Sequence, residues 1–203
     1  MRFSVQNLAC QRADQLIFEG LSFALGPGEA IWVQGRNGAG KSSLLRICAG
    51  LLRPHAGGVA WADEDIFTES DRYQGAFHYV GHQDALKPAL TVSENIKFWA
   101  AYHGHSDIET ALAEFELAPL RDTPAGILSQ GQKKRTNLAR LAASSAPLWI
   151  LDEPVSALDK HFIALFKEKL LRHLAGGGMA IFATHQDLGI DQVRRLNLDE
   201  VAV

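Results

Sequence analysis

Short apolar runs separated by turn residues recur along the chain. Arg2–Leu8, Leu21–Leu25, Ala30–Gln34, Phe77–Val80, Leu148–Leu151 and Met179–Thr184 have the length and composition of strands. Gly26-Pro27-Gly28-Glu29 is a tight turn between two of them. Helical patterning follows Gly40 and returns at Val92–His103, Asp107–Phe115, Gln132–Ala143 and Ala157–Leu174. Strand and helix in alternation predict an α/β fold around a largely parallel sheet. The early strands, joined by close turns, predict an antiparallel β part beside it. From Gln83 to Leu128 the strand signal vanishes and helices dominate, with Pro88 and Pro124 punctuating the two ends. The expected organisation is one domain, 1–203, with residues 1–83 and 129–203 as the core and 84–128 as an inserted helical subdomain. The tail, Val193–Val203, alternates apolar and polar positions and is expected to form a terminal strand pair.

Composition narrows this only a little. At 203 residues, 47% apolar and 21% charged, the chain is an ordinary globular sequence. A net charge of −3 gives no reason to expect nucleic acid as a partner. Cys10 and Cys48 lie far apart and make no disulfide framework. No apolar run approaches the ~18 residues of a membrane span, and the N-terminus reads as a first strand rather than a signal peptide. Work at a membrane would therefore need other subunits to supply the spans.

The densest chemical signal is Gly35-Arg36-Asn37-Gly38-Ala39-Gly40-Lys41-Ser42, set between a strand and a helix. Glycines there let the backbone turn its N–H groups toward phosphate, and the helix start adds a favourable field. Lys41 is placed for the β- and γ-phosphates and Ser42 for Mg²⁺. Leu148-Trp149-Ile150-Leu151-Asp152-Glu153 is an apolar strand ending in two acids at the sheet's ligand edge. Asp152 suits the Mg²⁺ shell and Glu153 the attacking water. Ser129 and Gln132 make an S-x-x-Q capping box, which starts a helix. With Gly131 the same helix start can also meet phosphate, and both readings can hold together. Because Gly35–Ser42 already cradles its own nucleotide, that second helix start is most useful against the nucleotide of another copy. His185 and Gln83 leave strands at the same edge. Tyr102-His103-Gly104-His105 reads as a solvated helix end in preference to a metal site, and no haem attachment motif occurs.

Taken in order, these pieces resemble the nucleotide-binding subunits of ABC transporters. Gly35–Ser42 resembles Walker A, Gln83 the Q-loop, Leu128–Gln132 the LSGGQ-type signature with Gln130 at its first glycine, Trp149–Glu153 Walker B, Ser156–Asp159 the D-loop, and His185 the switch histidine. The resemblance implies the P-loop NTPase fold of that family, with a RecA-like parallel core. It implies ATP and Mg²⁺ as ligands and a head-to-tail dimer. Gly35 through Ser42 and the neighbouring Ser43 would contact one nucleotide, while Ser129, Gln130, Gly131 and Gln132 of the other copy would close over it. Lys41, Gln83, Glu153 and His185 would be catalytic, Ser42, Gln83 and Asp152 would share the metal, and Asp159 would line the interface. Residues Asp84–Trp99 would receive a coupling helix from a membrane subunit. Arg12 falls where many members stack an aromatic on adenine. A guanidinium can stack on a base, and a surface charge is the alternative. The stretch Val80–Phe98, the short chain and Leu148–Asp159 further resemble the ATP-binding subunits of haem export in cytochrome c maturation. That resemblance implies a peripheral place at the cytoplasmic face of the inner membrane and integral membrane subunits as partners; the alternatives are another small-substrate ABC exporter or a soluble ABC-type ATPase for cofactor assembly, and the histidine reading above predicts no direct contact with haem.

Overall fold

A computed structural model describes residues 1–68, 70–105 and 107–201. Nine strands are described: β1 (Phe3–Arg12), β2 (Gln15–Leu25), β3 (Ala30–Gln34), β4 (Ala56–Trp61), β5 (Glu64–Asp65), β6 (Phe77–Val80), β7 (Leu148–Asp152), β8 (Met179–Ala183) and β9 (Arg194–Asn197). The α-helices are α1 (Lys41–Cys48), α2 (Ser70–Gln74), α3 (Val92–Tyr102), α4 (Glu109–Glu114), α5 (Gln130–Ala143) and α6 (Lys160–Ala175). Five strands form a parallel sheet in the order β6-β7-β8-β3-β9, and four form an antiparallel sheet in the order β2-β1-β4-β5.

The parallel sheet works as a partition. Every residue of β7 and β8 is buried, as is Ala30 through Val33 of β3, which is the pattern of a sheet covered on both faces. Alternate side chains enter two separate cores. Ile31, Val33, Ile150 and Ile181 join a core shared with α1 and the antiparallel sheet. Trp32, Trp149, Leu151 and Phe182 join a second core with α3, α4, α5 and α6. The loops at the carboxyl edge of the strands are thus held between two packed layers, the edge where open α/β sheets bind ligands.

Several sequence expectations are revised. Strands β4 and β5 were invisible because Ala56-Gly57-Gly58 lacks strand-forming side chains. Gly57 is needed there: its φ is +79°, and a Cβ would lie 2.3 Å from the Asn7 carbonyl oxygen at a bulge in β1. The predicted terminal strand pair is one strand, β9, parallel to β3, followed by a 3₁₀ turn over Leu198–Glu200; Ala202 and Val203 lie outside the described residues. Helix α6 starts at Lys160 rather than Ala157, because Ala157 has a φ of +62° and Asp159 caps the helix through the Phe162 N–H at 2.9 Å.

Candidate nucleotide-binding site

The loop between β3 and α1 is shaped by three left-handed glycines, Gly35 (φ +144°), Gly38 (+88°) and Gly40 (+96°). Gly40 is the N-cap of α1, and no side chain caps the helix, so its first turn is open to an anion. Two side chains brace the loop. The Lys41 Nζ donates to the Gly35 carbonyl at 2.7 Å and the Arg36 carbonyl at 3.0 Å. From the far side, the Asp199 carboxylate accepts the Arg36 N–H at 3.1 Å. Asp199 follows β9, so the tail of the chain fixes the loop's entrance.

Gly40 also packs tightly against β2. A Cβ there would lie 2.8 Å from Ile17 Cγ2 and 3.0 Å from the Phe18 ring. Gly40→Ala adds that clash to a left-handed backbone that costs roughly 1–3 kcal/mol for a non-glycine residue. The variant is expected to keep its circular dichroism spectrum and to bind a fluorescent ATP analogue at least ~10-fold more weakly, the factor that about 1.4 kcal/mol gives.

Facing the loop is the end of β7. Asp152 is buried, and one of its oxygens, Oδ2, has no hydrogen-bond partner. The chain then turns through Glu153, whose φ is +51° and whose N–H donates to the Ala183 carbonyl at 2.9 Å. That turn brings the Glu153 Oε1 to 3.6 Å from His185 Nε2. The adjoining Thr184 is itself held, its carbonyl accepting the Trp32 Nε1–H at 3.0 Å.

These groups surround a cleft of about 350 Å³ that includes Lys41, Ser42, Ser43, Asp152, Glu153 and His185 in its wall, with Asn37, Gly38 and Gly40 beneath. Arg12, at the end of β1, and Ile17 in β2 also line it. A neighbouring cleft of about 480 Å³ shares Ser42 and Asp152 and adds Gln83, Tyr79 and Arg46. Ser42, Gln83 and Asp152 are therefore drawn together, although they come from three separate segments. A buried carboxylate oxygen without a partner, beside a serine hydroxyl and an amide, is a fitting oxygen set for Mg²⁺.

Ser129 through Gln132 stand elsewhere. The capping box is present: Ser129 Oγ accepts the Gln132 N–H at 3.2 Å, and Gln132 Oε1 accepts the Ser129 N–H at 2.8 Å. Ser129 and Gln130 are exposed at the start of α5 and line neither cleft. A Cβ on Gly131 would come 3.0 Å from the Ala157 carbonyl oxygen, so this glycine lets α5 start close under the turn that follows β7. Asp159 serves as the cap of α6 and also lies outside both clefts.

The reading of His103-Gly104-His105 needs correction at one residue. His105 is exposed, but His103 turns inward with its ring 4.3 Å from that of His78. Burial lowers the pKa of His103 and pushes that of His78 down to about 3. Sequence reasoning also passed over His82, which lines both clefts, and Asp199, Arg46, Asp84, Lys134 and Arg140. His82 alone had a signal, as the residue preceding Gln83.

The sequence matches the ABC transporter family over residues 18–156. It is 46% identical over 207 residues to the cytochrome c biogenesis ATP-binding export protein CcmA of Paramagnetospirillum magneticum, covering 99% of this chain and 95% of that protein. It is 48% identical over 202 residues to the CcmA protein of Rhodospirillum rubrum, covering 98% of this chain and 87% of that one. The chain belongs to the ABC transporter family, in its CcmA branch. As such it is an ATP-binding subunit with ATPase activity. Solved structures agree on the fold. An ATP-binding ABC protein of Pyrococcus furiosus superposes with a TM-score of 0.87 at 23% identity, covering all of both chains. An ATP-binding subunit of an ABC transporter gives 0.84 at 26% identity, over 91% of this chain and 80% of that one. No helix among the described residues of this ABC subunit is long and apolar enough to cross a membrane.

Proposed function

We propose that this ABC subunit hydrolyses ATP to drive membrane partners in cytochrome c biogenesis, as part of a haem-export complex. The observation that carries the ATPase chemistry is the meeting of Lys41, Ser42, Asp152, Glu153 and His185 around one cleft. The biological role is supported by identity above 45% to CcmA proteins over nearly the whole chain.

The reaction is in-line attack of water on the γ-phosphate. Lys41 leaves its carbonyl partners in the loop and holds the β- and γ-phosphates, while the open first turn of α1 receives the β-phosphate. Ser42, Asp152 and Gln83 would hold Mg²⁺, which would supply charge neutralisation for the phosphates. Glu153 accepts a hydrogen bond from the water and draws its proton, and His185 contacts the γ-phosphate from the same wall. Arg12 stacks on the base.

The wall is incomplete in one copy. Ser129 and Gln130 are exposed, Gly131 and Gln132 are half-buried, and none of the four lines the cleft of its own chain. A head-to-tail dimer places them against the partner's triphosphate, with Asp159 at the seam. ATP favours the closed dimer and loss of phosphate reopens it. Residues 84–128 act as a helical subdomain that takes a coupling helix from an integral membrane subunit, so the chain sits peripherally at the cytoplasmic face of the inner membrane. It binds neither nucleic acid nor haem itself.

Fractionation after co-expression tests the assignment. With the membrane subunits of a cytochrome c maturation cluster, a tagged chain is expected to sediment with membranes and to pull those subunits down. Without them it is expected to stay in the supernatant. Recovery in the supernatant in both cases, with cytochrome c maturation unaffected by deletion of the gene, would refute the role while leaving the ATPase reading intact.

A further inference from the structure

Gln83 stands in a segment with little structure of its own. Strand β6 ends at Val80, and α3 begins at Val92. Between them main-chain bonds hold only the second half, where the Pro88 and Leu90 carbonyls accept the Gly126 and Ala125 N–H groups, while Gln83 lines the cleft with Ser42 and Asp152 from the first half. Side chains from α3 and α5 provide the anchorage.

On the α3 side, the buried Asn95 holds the segment's second half. Its Oδ1 accepts the Lys87 N–H at 2.8 Å, and its Nδ2 donates to the carbonyls of Lys87, Leu90 and Thr91. On the α5 side, three residues at steps of three along the helix face the segment's first half and the end of β6. Asn137 Nδ2 donates to Asp84 Oδ1 at 3.1 Å, and Lys134 Nζ lies 3.5 Å from the same oxygen. Arg140, one turn further, donates to the Tyr79 carbonyl in β6 and lies under the Trp99 ring.

The charges on this stripe are out of balance without Asp84. Lys134 and Arg140 are 3% and 2% exposed, and neither Lys134 Nζ nor Arg140 Nε has a hydrogen-bond partner. Burial pulls the Arg140 pKa down to about 10, and the Asp84 charge works against that fall. A buried cation that loses its counter-ion is strongly unfavourable. The carboxylate of Asp84 is thus drawn inward by two cations and one amide, and Gln83 is its immediate neighbour.

We propose that Asp84 is a positioning residue, which ties the Gln83 turn to α5 and so keeps Gln83 at the Ser42–Asp152 cleft. Helix α5 then has two functions in one rod. Its first turn presents Ser129 to the partner's nucleotide, and its next two turns hold the Gln83 segment of its own chain. Closure of the dimer on α5 would be felt at Gln83 through Asp84. This inference rests on the reading above that Gln83 acts in hydrolysis.

Two readouts test it in the intact chain, alone and with its membrane subunits. The first is amide hydrogen exchange without nucleotide. Asp84→Asn keeps the shape and removes the charge, and is expected to raise exchange in 82–86 at least ~10-fold, with β7 and β8 unchanged. Unchanged exchange in 82–86 would overturn the proposal. The second is a double-mutant cycle on ATP turnover with Gln83→Ala. Asp84→Asn is expected to lower kcat at least ~10-fold with KM for ATP within about twofold. The double variant should be no slower than Gln83→Ala. Multiplying effects would mean that Asp84 acts independently, which overturns the proposal. If Gln83→Ala turns over at the parental rate, the role of Gln83 fails, and the exchange readout alone decides the anchorage. If Asp84→Asn does not fold, Lys134→Met removes the ion pair from the other side and is read in the same two ways.

Discussion

Glu153→Gln is expected to bind ATP as tightly as the parent chain and to hydrolyse it at least ~100-fold more slowly, the range a general base contributes. The prediction depends on how Glu153 is held. Its backbone is fixed by the bond from its N–H to the Ala183 carbonyl, and its left-handed turn is set by the end of β7. An amide of the same shape leaves both untouched. What is lost is the ability to take the water's proton. Binding draws mainly on Lys41, the glycine loop and the open turn of α1, which line the same cleft and are not altered. The ATP-bound, closed dimer should therefore accumulate. Sedimentation with ATP and Mg²⁺ is expected to show a doubled mass for Glu153→Gln, and a mixture or monomer for the parent chain. Turnover at the parental rate would remove Glu153 from the chemistry. Slow turnover without a stable dimer would keep Glu153 and count against the shared site.

The parts of the fold that sequence made legible are those where one physical demand dominates. Strands β3, β7 and β8 are buried on both faces, so each is an unbroken apolar run that ends abruptly at a functional loop. Gly35–Ser42 was legible because phosphate binding constrains nearly every residue in it. Strands β4 and β5 were not, because their place depends on a bulge in β1 and on Gly57 fitting against Asn7, a contact some 50 residues away in sequence. β9 was misread for a similar reason. Arg194-Arg195-Leu196-Asn197 has no strand signal beyond alternation, and only pairing with β3 determines its direction. In the site, motif residues were found and their supports were missed. Asp199 braces the loop from the far end of the chain, and Asp84 meets Lys134 across 50 positions. Single charged residues of that kind look like surface charge until the fold brings their partners beside them.

Lys41→Ala is expected to weaken ATP binding and lower hydrolysis together, and the loss should grow with each phosphate on the ligand. A hydrogen bond to a charged group is worth about 1.5–3 kcal/mol net, so the lost contacts to the β- and γ-phosphates predict a fall in affinity of roughly 10- to 100-fold or more. AMP, which has neither phosphate, should lose little. There is a second effect specific to this loop. Lys41 Nζ also bridges the carbonyls of Gly35 and Arg36, so the amine closes the loop on itself. Without it the loop keeps the Asp199 brace at its entrance and the Ala39 N–H bond to the Arg36 carbonyl, and exchange of its amides should rise even without nucleotide. Calorimetric titration with AMP, ADP and a non-hydrolysable ATP analogue separates the two effects. A graded loss from AMP to ATP assigns the amine to the phosphates. An equal loss for all three ligands would mean that Lys41 only shapes the loop, and the phosphate contacts drawn above would have to come from elsewhere.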